Sequence, residues 1–307
     1  MSVESQCGHD GTVNGGCLLV VGTPIGNLGD LTPRAAAAFA QADAICCEDT
    51  RVTSKLLNRL EISRPLIRCD ENVISQRALE IVDRIEGGET IAFASDAGMP
   101  SVSDPGQVLV DAVRGAGLRV EVIPGPSACV TALVSSGIAC DQFFFEGFLP
   151  RKHGERVRRL RRLASIPGAL LFYESPHRVV DSLVAIAEVF PGRTVALCRE
   201  LTKMHEEVLR DLAPALLDTV RGRGELKGEM VLVVAPPSEE ELEMHEAALA
   251  IGTSPEGSDP DELLRTDIET ALADGEPASG IAKRLSQKYS RKKRDVYETV
   301  LSMQANR

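Results

Sequence analysis

A chain of 307 residues is too long for one small core and implies two or three domains. Its 43% hydrophobic content is ordinary for a globular protein, and no apolar run approaches the ~20 residues that cross a bilayer, which excludes a helical membrane protein. The net charge of −11 argues at first against a nucleic-acid partner, and eight cysteines without a two-residue spacing exclude a zinc knuckle and indicate buried or idle thiols.

Residues 1–16 carry Glu4 and Asp10 but no basic, apolar core. They read as a disordered extension rather than a signal peptide, so a cytoplasmic location is expected. Cys7, His9 and Cys17 lie close together there, but a lone trio in a Gly-rich tail makes no metal site.

Over 17–123, strands are predicted at Cys17–Val21, Ala44–Cys47, Leu66–Cys69, Thr90–Ala94 and Arg119–Ile123, alternating with helical patterns. Thr32 before Pro33 reads as an N-cap followed by proline at the first helical position. Ser103 before Asp104 and Pro105 predicts a second such start, for a helix running to Gly115. Strand, helix, strand repeated in this way implies a parallel sheet with right-handed crossovers.

Three of these strands run into loops of small residues: Gly22–Asp30, Ser95–Gly106 and Pro124–Ala128. Loops at the carboxyl ends of parallel strands are where α/β sheets bind ligands, so the three together could line one cleft. The Rossmann glycine fingerprint is missing, so a nucleotide-like ligand has to be recognised by other loops.

A second α/β domain is expected over 124–237. It comprises a helix from Ser127 to Ser135, a strand at Phe143–Phe148, a basic helix, and strands at Ala169–Tyr173, Thr194–Arg199 and Glu229–Ala235. Between the strands, Val179, Leu183, Ile186 and Val189 keep helical spacing. Pro236-Pro237 leads into an acidic linker over 238–260. Residues 261–307 then read as a small helical, helix-turn-helix-like module, with Leu264, Ile268, Leu272, Ile281, Leu285, Val296 and Val300 inward.

The charge is segregated. Residues 151–162 carry a local +6 and residues 283–294 a local +7, which leaves −24 for the rest. Such an arrangement suits a phosphate-binding surface on an acidic protein; the alternative is a solvated helix face plus a charged tail. The candidate phosphate contacts are Arg51, Arg151, Lys152, Arg156, Arg158, Arg159 and Arg162. With 4% aromatics and no Trp, a broad stacking surface is excluded, although Phe148 and Tyr173 could clamp one extruded base.

One series of strings runs in order through the chain. It begins with Thr23-Pro24-Ile25-Gly26-Asn27-Leu28, Glu48-Asp49-Thr50-Arg51, Ser95-Asp96-Ala97-Gly98, Ser103-Asp104-Pro105-Gly106 and Pro124-Gly125. It continues with Gly147-Phe148-Leu149-Pro150, Tyr173-Glu174-Ser175-Pro176-His177-Arg178, Arg199-Glu200-Leu201-Thr202-Lys203 and Lys227-Gly228-Glu229. Over about residues 17–235 the chain thereby resembles the ribosomal RNA small subunit methyltransferase I family. That group is of the tetrapyrrole-methylase-like, class III S-adenosylmethionine-dependent type.

The resemblance implies two consecutive α/β domains with a cleft between them, plus the helical C-terminal module. It implies a homodimer that uses S-adenosyl-L-methionine to methylate the 2′-hydroxyl of a cytidine ribose in small-subunit ribosomal RNA, free or in the assembled subunit, with no metal. Its pocket carries over to Pro24, Asp96, Gly98, Met99, Ser127, Ala128, Tyr173, Cys198 and Gly228. Met99 stands where the family has Thr, and Pro126 where it has a small residue; a lost hydroxyl would weaken one hydrogen bond by ~1 kcal/mol.

The 2′-hydroxyl is a poor nucleophile that must be aligned and relieved of its proton. Polar candidates are Glu48, Asp49, Arg51, Glu174, His177, Arg178, Arg199, Glu200, Lys203 and His205. Lys203 with a depressed pKa could be the base, oriented by Glu200 or Glu174 beside Arg199. The alternative pairs Arg199 with Glu200 structurally and sets Lys203 on phosphate. Two rivals to RNA methylation remain: the same fold acting on a tetrapyrrole or a modified protein histidine, and a non-catalytic RNA-binding ribosome-assembly factor.

Overall fold

The computed structural model describes residues 16–102, 104–243, 260–273, 276–289 and 291–305. The chain divides into one compact unit up to Pro237 and another from Ser238. Among the described residues no helix is long and apolar enough to cross a membrane.

The first sheet contains β1 (Cys17–Val21), β2 (Ala44–Cys47), β3 (Leu66–Arg68), β4 (Thr90–Ala94) and β5 (Arg119–Ile123). All five are parallel, in the order β3-β2-β4-β1-β5. The nearly unbroken apolar runs of β1, β2 and β4 fit central strands buried on both faces, while β3 and β5 at the edges are more exposed. Phe39, Ala35 and Ala38 of α1 (Pro33–Gln41) and Leu57 of α2 (Thr50–Arg59) pack on one face with Leu19, Val21 and Ile45. On the other face, α3 (Ile74–Glu86) and α4 (Gly106–Gly115) cover Leu18, Val20, Ile91 and Phe93.

The predicted N-cap of α1 is present: Thr32 Oγ1 accepts from Ala35 N at 3.1 Å. The second predicted start shifts. Ser103 lies outside the described residues and α4 begins at Gly106, with Asp104 Oδ1 accepting from Gly106 N and Ser101 N, each at 2.8 Å. The N-terminal extension also lies outside the described residues, except Gly16. Its amide donates to Ile85 O at 3.0 Å, and a Cβ there would overlap Glu89 O, so Gly16 belongs to the packed unit.

The second sheet contains β6 (Phe143–Phe148), β7 (Ala169–Glu174), β8 (Thr194–Arg199), β9 (Glu207–Leu212) and β10 (Met230–Val234), in the order β6-β7-β10-β8-β9. Only β6 and β7 run parallel; every other pair is antiparallel. One face carries α6 (His153–Leu163), α7 (Val179–Val189) and α8 (Ala213–Gly222). The other packs against α5 (Ala128–Ser136) and against Ile25 from the loop after β1.

Strand β9 escapes the sequence because it is an edge strand: Glu207, Arg210 and Asp211 interrupt any apolar run. Among the described residues, the Ser238–Arg307 unit includes the helices Pro260–Ala273, Ala278–Lys288 and Lys293–Ala305. Leu264, Ile268, Ile281, Leu285, Val296 and Val300 form its core, as their spacing predicts, while Leu272 is only partly buried.

Candidate active site

The three small-residue loops leave β4, β1 and β5, which are neighbours in the first sheet. After β1 the chain turns to α1 on one face, and after β4 to α4 on the other, so a crevice opens where the two paths diverge. Thr23 and Gly98 exchange backbone hydrogen bonds of 2.9 and 3.1 Å. Gly22 N donates to Ile123 O at 3.0 Å, and a Cβ on Gly22 would lie 2.7 Å from Gly125 N. Gly98, at φ +83°, takes a backbone conformation that side chains disfavour.

The crevice deepens into a pocket that encloses about 850 Å³ of empty space, the open solvent at its mouth included. Gly98, Met99, Ser127, Ala128, Tyr173 and Cys198 line it, as the resemblance implies. Met99 does not leave a hydrogen bond unmade, because its thioether accepts from Gly125 N at 3.1 Å. Ser127 stands at the N-cap position of α5 without a side-chain cap bond; its hydroxyl lies 3.1 Å from Cys129 Sγ.

The other three predicted pocket residues lie elsewhere. Pro24 and Asp96 line an adjoining groove with Thr23, Gly26, Lys55 and Arg59. Gly228, at φ +92°, lines neither; it leaves room for the Glu200 carboxylate, which a Cβ would overlap. Sequence reasoning missed Ile25, Leu201, Glu229 and Val231 as lining residues, though Glu229 and Val231 follow the flagged Gly228.

Among the described residues, the Asp, Glu, Lys, Arg or His side chains on the cavity wall are Glu174 and Glu229. An apolar wall with peptide groups at 97–99 and 127–128 and no cation fits a ligand bearing a sulfonium charge. Burial pushes the Tyr173 phenol up to about 12, helped by the neighbouring Cys129, so it stays neutral. Burial also pushes the Cys198 thiol up to about 12, so no thiolate there competes for an electrophilic methyl group.

The predicted catalytic group is tied together differently from expectation. Lys203 Nζ donates to Glu200 Oε1 at 2.8 Å and to Glu229 Oε2 at 3.0 Å. Burial pulls the ammonium down, but the hydrogen bonds and charges of these two carboxylates outweigh it, and the net shift is upward from the ordinary 10.5. A depressed, basic Lys203 is thereby overturned. Arg199 holds Glu207 and the carbonyl of Lys227. Thr202 and Glu200 have φ of +65° and +52°, so this short loop is strained where it presents Lys203.

Glu174 faces the cavity with its side chain fully buried, accepting from Ser175 N at 2.9 Å and from the Ser182 hydroxyl, with Arg178 Nε at 3.5 Å. The two hydrogen bonds tie the carboxylate to Ser175 and to Ser182 of α7. Two other acids are held above the usual carboxylate range: Glu48 and Asp96, in each case mainly by burial. Asp96 N donates to Glu48 Oε1 at 3.3 Å, and Asp49 N to Asp96 Oδ1 at 3.1 Å. Asp49 itself is lowered to about 2 by its hydrogen bonds to Arg51, an exposed pair.

The basic helix divides into two faces. Arg156, expected on phosphate, is buried and donates to Pro150 O and Arg151 O at 3.1 Å each. Its position four residues before Leu160 and seven before Leu163 puts it on the apolar stripe, a signal the sequence contained. Arg159 is forked onto Glu146 by two bonds of 2.6 Å. Arg151, Lys152, Arg158 and Arg162 are exposed.

Over residues 18–216 the chain matches the family described as Tetrapyrrole (Corrin/Porphyrin) Methylases. It is 39% identical over 287 residues to Ribosomal RNA small subunit methyltransferase I of Mesorhizobium japonicum, covering 93% of this chain and 92% of that protein. It is 45% identical over 221 residues to the protein of the same name from Xylella fastidiosa, covering 71% and 81%. Among solved structures, uroporphyrin-III C-methyltransferase from Thermus thermophilus, complexed with S-adenosylhomocysteine, shares the fold. Its TM-score is 0.51 at 18% identity, over 72% of this chain and 97% of that one. A likeness sustained over nearly the whole length of both chains leaves one assignment: the chain belongs to the ribosomal RNA small subunit methyltransferase I family, within the tetrapyrrole methylases.

Proposed function

We propose that this protein uses S-adenosyl-L-methionine to methylate the 2′-hydroxyl of a cytidine ribose in small-subunit ribosomal RNA, in the cytoplasm and as a homodimer. The observation that carries the reading is the cavity between the two sheets, walled by apolar side chains and peptide groups with only carboxylates as charged lining. A sulfonium donor bound there supplies an electrophilic methyl group. The residues' part is to hold the acceptor ribose in line and to take its proton.

Lys203, kept as an ammonium by Glu200 and Glu229, serves as a fixed positive charge for a phosphate or a developing alkoxide. Proton acceptance then falls to the carboxylates raised by burial, Asp96 in the adjoining groove and Glu48 beside it. Exposed Arg151, Lys152, Arg158 and Arg162 support phosphate contacts that set the register of the RNA without reading its sequence.

Purified protein incubated with small subunits and radiolabelled donor tests the reading, followed by mapping of ribose methylation. Saturable donor binding with one new 2′-O-methyl site is expected. Donor binding with transfer only to a tetrapyrrole or a protein histidine would move the chain to another substrate, and no donor binding at all would leave an assembly factor.

A further inference from the structure

Aromatic rings are scarce on this surface. Among the described residues, only Phe143, Phe148 and Tyr297 are exposed aromatics, and of these Phe148 alone lines the cavity. Phe148 is the last residue of β6 and remains 55% exposed. Its ring lies 5.8 Å from that of Tyr173 at 65°, and Tyr173 is backed in turn by Phe145 at 4.7 Å.

The backbone around that ring is held unusually firmly. The register of β6 on β7 shifts between Phe145 and Gly147, and Gly147 has φ +77°, a bulge of the kind that re-aims a side chain. Before the ring, Glu146 is forked onto Arg159. After it, Leu149 O accepts from Arg178, Pro150 O and Arg151 O accept from the buried Arg156, and the Leu149 side chain is itself buried. Two arginines are thus spent on three consecutive carbonyls, while the aromatic ring they frame stays half in water. Burial does not explain such a ring, since little apolar area leaves water there.

We propose that Phe148 is a stacking platform for an unpaired base of the acceptor RNA, at the mouth of the donor cavity. This rests on the RNA-methylation reading above. Two observations favour an RNA base over the adenine of the donor. The ring stands at the open rim, while Tyr173, Cys198 and Val231 make the inner wall. It is also followed directly by exposed Arg151 and Lys152 and then by Arg158, placing cationic side chains where the phosphates of a splayed strand would run. A preset ring stacks any base at little entropic cost, so it positions the nucleotide without selecting it.

The test compares Phe148→Ala, Phe148→Trp and wild type in two measurements: calorimetric binding of S-adenosyl-L-methionine alone, and steady-state methylation of small subunits. Phe148→Ala is expected to lower kcat/KM for RNA by about 5- to 100-fold. Donor affinity should stay within about twofold, and Phe148→Trp should restore most of the loss. Loss of donor affinity in Phe148→Ala would assign the ring to the donor, and wild-type activity in Phe148→Ala would remove it from the site; either result overturns the proposal. A wild-type enzyme inactive on small subunits would instead fail the RNA reading.

Discussion

Thr23 and Gly98 close a two-bond bridge between the loops after β1 and β4, at 2.9 and 3.1 Å, where the donor cavity meets the groove that holds Asp96. Loops that would otherwise move independently share one short ladder, with Thr23 Oγ1 adding contacts to Ser95 O and Gly98 O at 3.3 and 3.4 Å. The floor of the site is accordingly made of peptide groups.

Closeness of the loops makes Gly125 a sensitive position. A Cβ there would sit 2.8 Å from Gly22 Cα, backbone against backbone, with no side chain to yield. Gly125→Ala is expected to cost about 1–3 kcal/mol of stability and to weaken donor binding. Chemical denaturation and calorimetry measure both, and an unchanged pair of values would show that the loops can separate freely.

The proposed role of Lys203 is a fixed charge rather than a base. Lys203→Arg should keep activity within about tenfold, whereas Lys203→Met should lose on the order of 100-fold. Equal inactivity of both variants would restore the base role. Because the folded pKa is raised, its stabilising contribution is complete below the ordinary 10.5 and disappears as pH rises through the elevated folded value.

Glu48 has the same slope with pH, but here it is the charged form that the fold disfavours. Its folded pKa lies above the ordinary 4.5, so the folded state binds more protons and stability falls as pH rises through that interval. Glu48→Gln retains an acceptor for Asp96 N and should raise Tm at pH 7, with the gain vanishing below about pH 4. A gain independent of pH would show that the raised carboxyl is not its source.

The basic helix should separate stability from binding. Arg156→Ala removes a buried cation with two carbonyl partners and should cost about 2 kcal/mol or more. Arg158→Glu with Arg162→Glu should leave Tm nearly unchanged, weaken RNA binding and reduce its salt slope by about 2. Thermal melts and salt-dependent binding distinguish the two, and an unaltered slope would return that face to plain solvation.

Much of this molecule is readable from local pattern. The strands β1, β2, β4 and β8 fall where apolar runs place them, β5 where Val120, Val122 and Ile123 do, and Thr32 caps α1 as its neighbours require. The loops at strand ends point to Gly98, Met99, Ser127 and Ala128, whereas Tyr173 and Cys198 lie within β7 and β8 and only the family resemblance brings them to the cavity. Asp96 lines the adjoining groove, because the same loop faces two hollows and no residue spacing tells which side a carboxylate takes.

By itself the sequence determined where strands, helices and close-approach loops form, since these follow from periodicity, caps and glycine within a few residues. It also marked the charge segregation. Tertiary structure alone decided that β10 runs antiparallel to both β7 and β8, that Arg159 is forked onto Glu146, and that Glu229 joins Glu200 on Lys203. Each of those outcomes depends on partners distant in the chain, whose burial and field set the energy of a side chain only after the sheets have assembled.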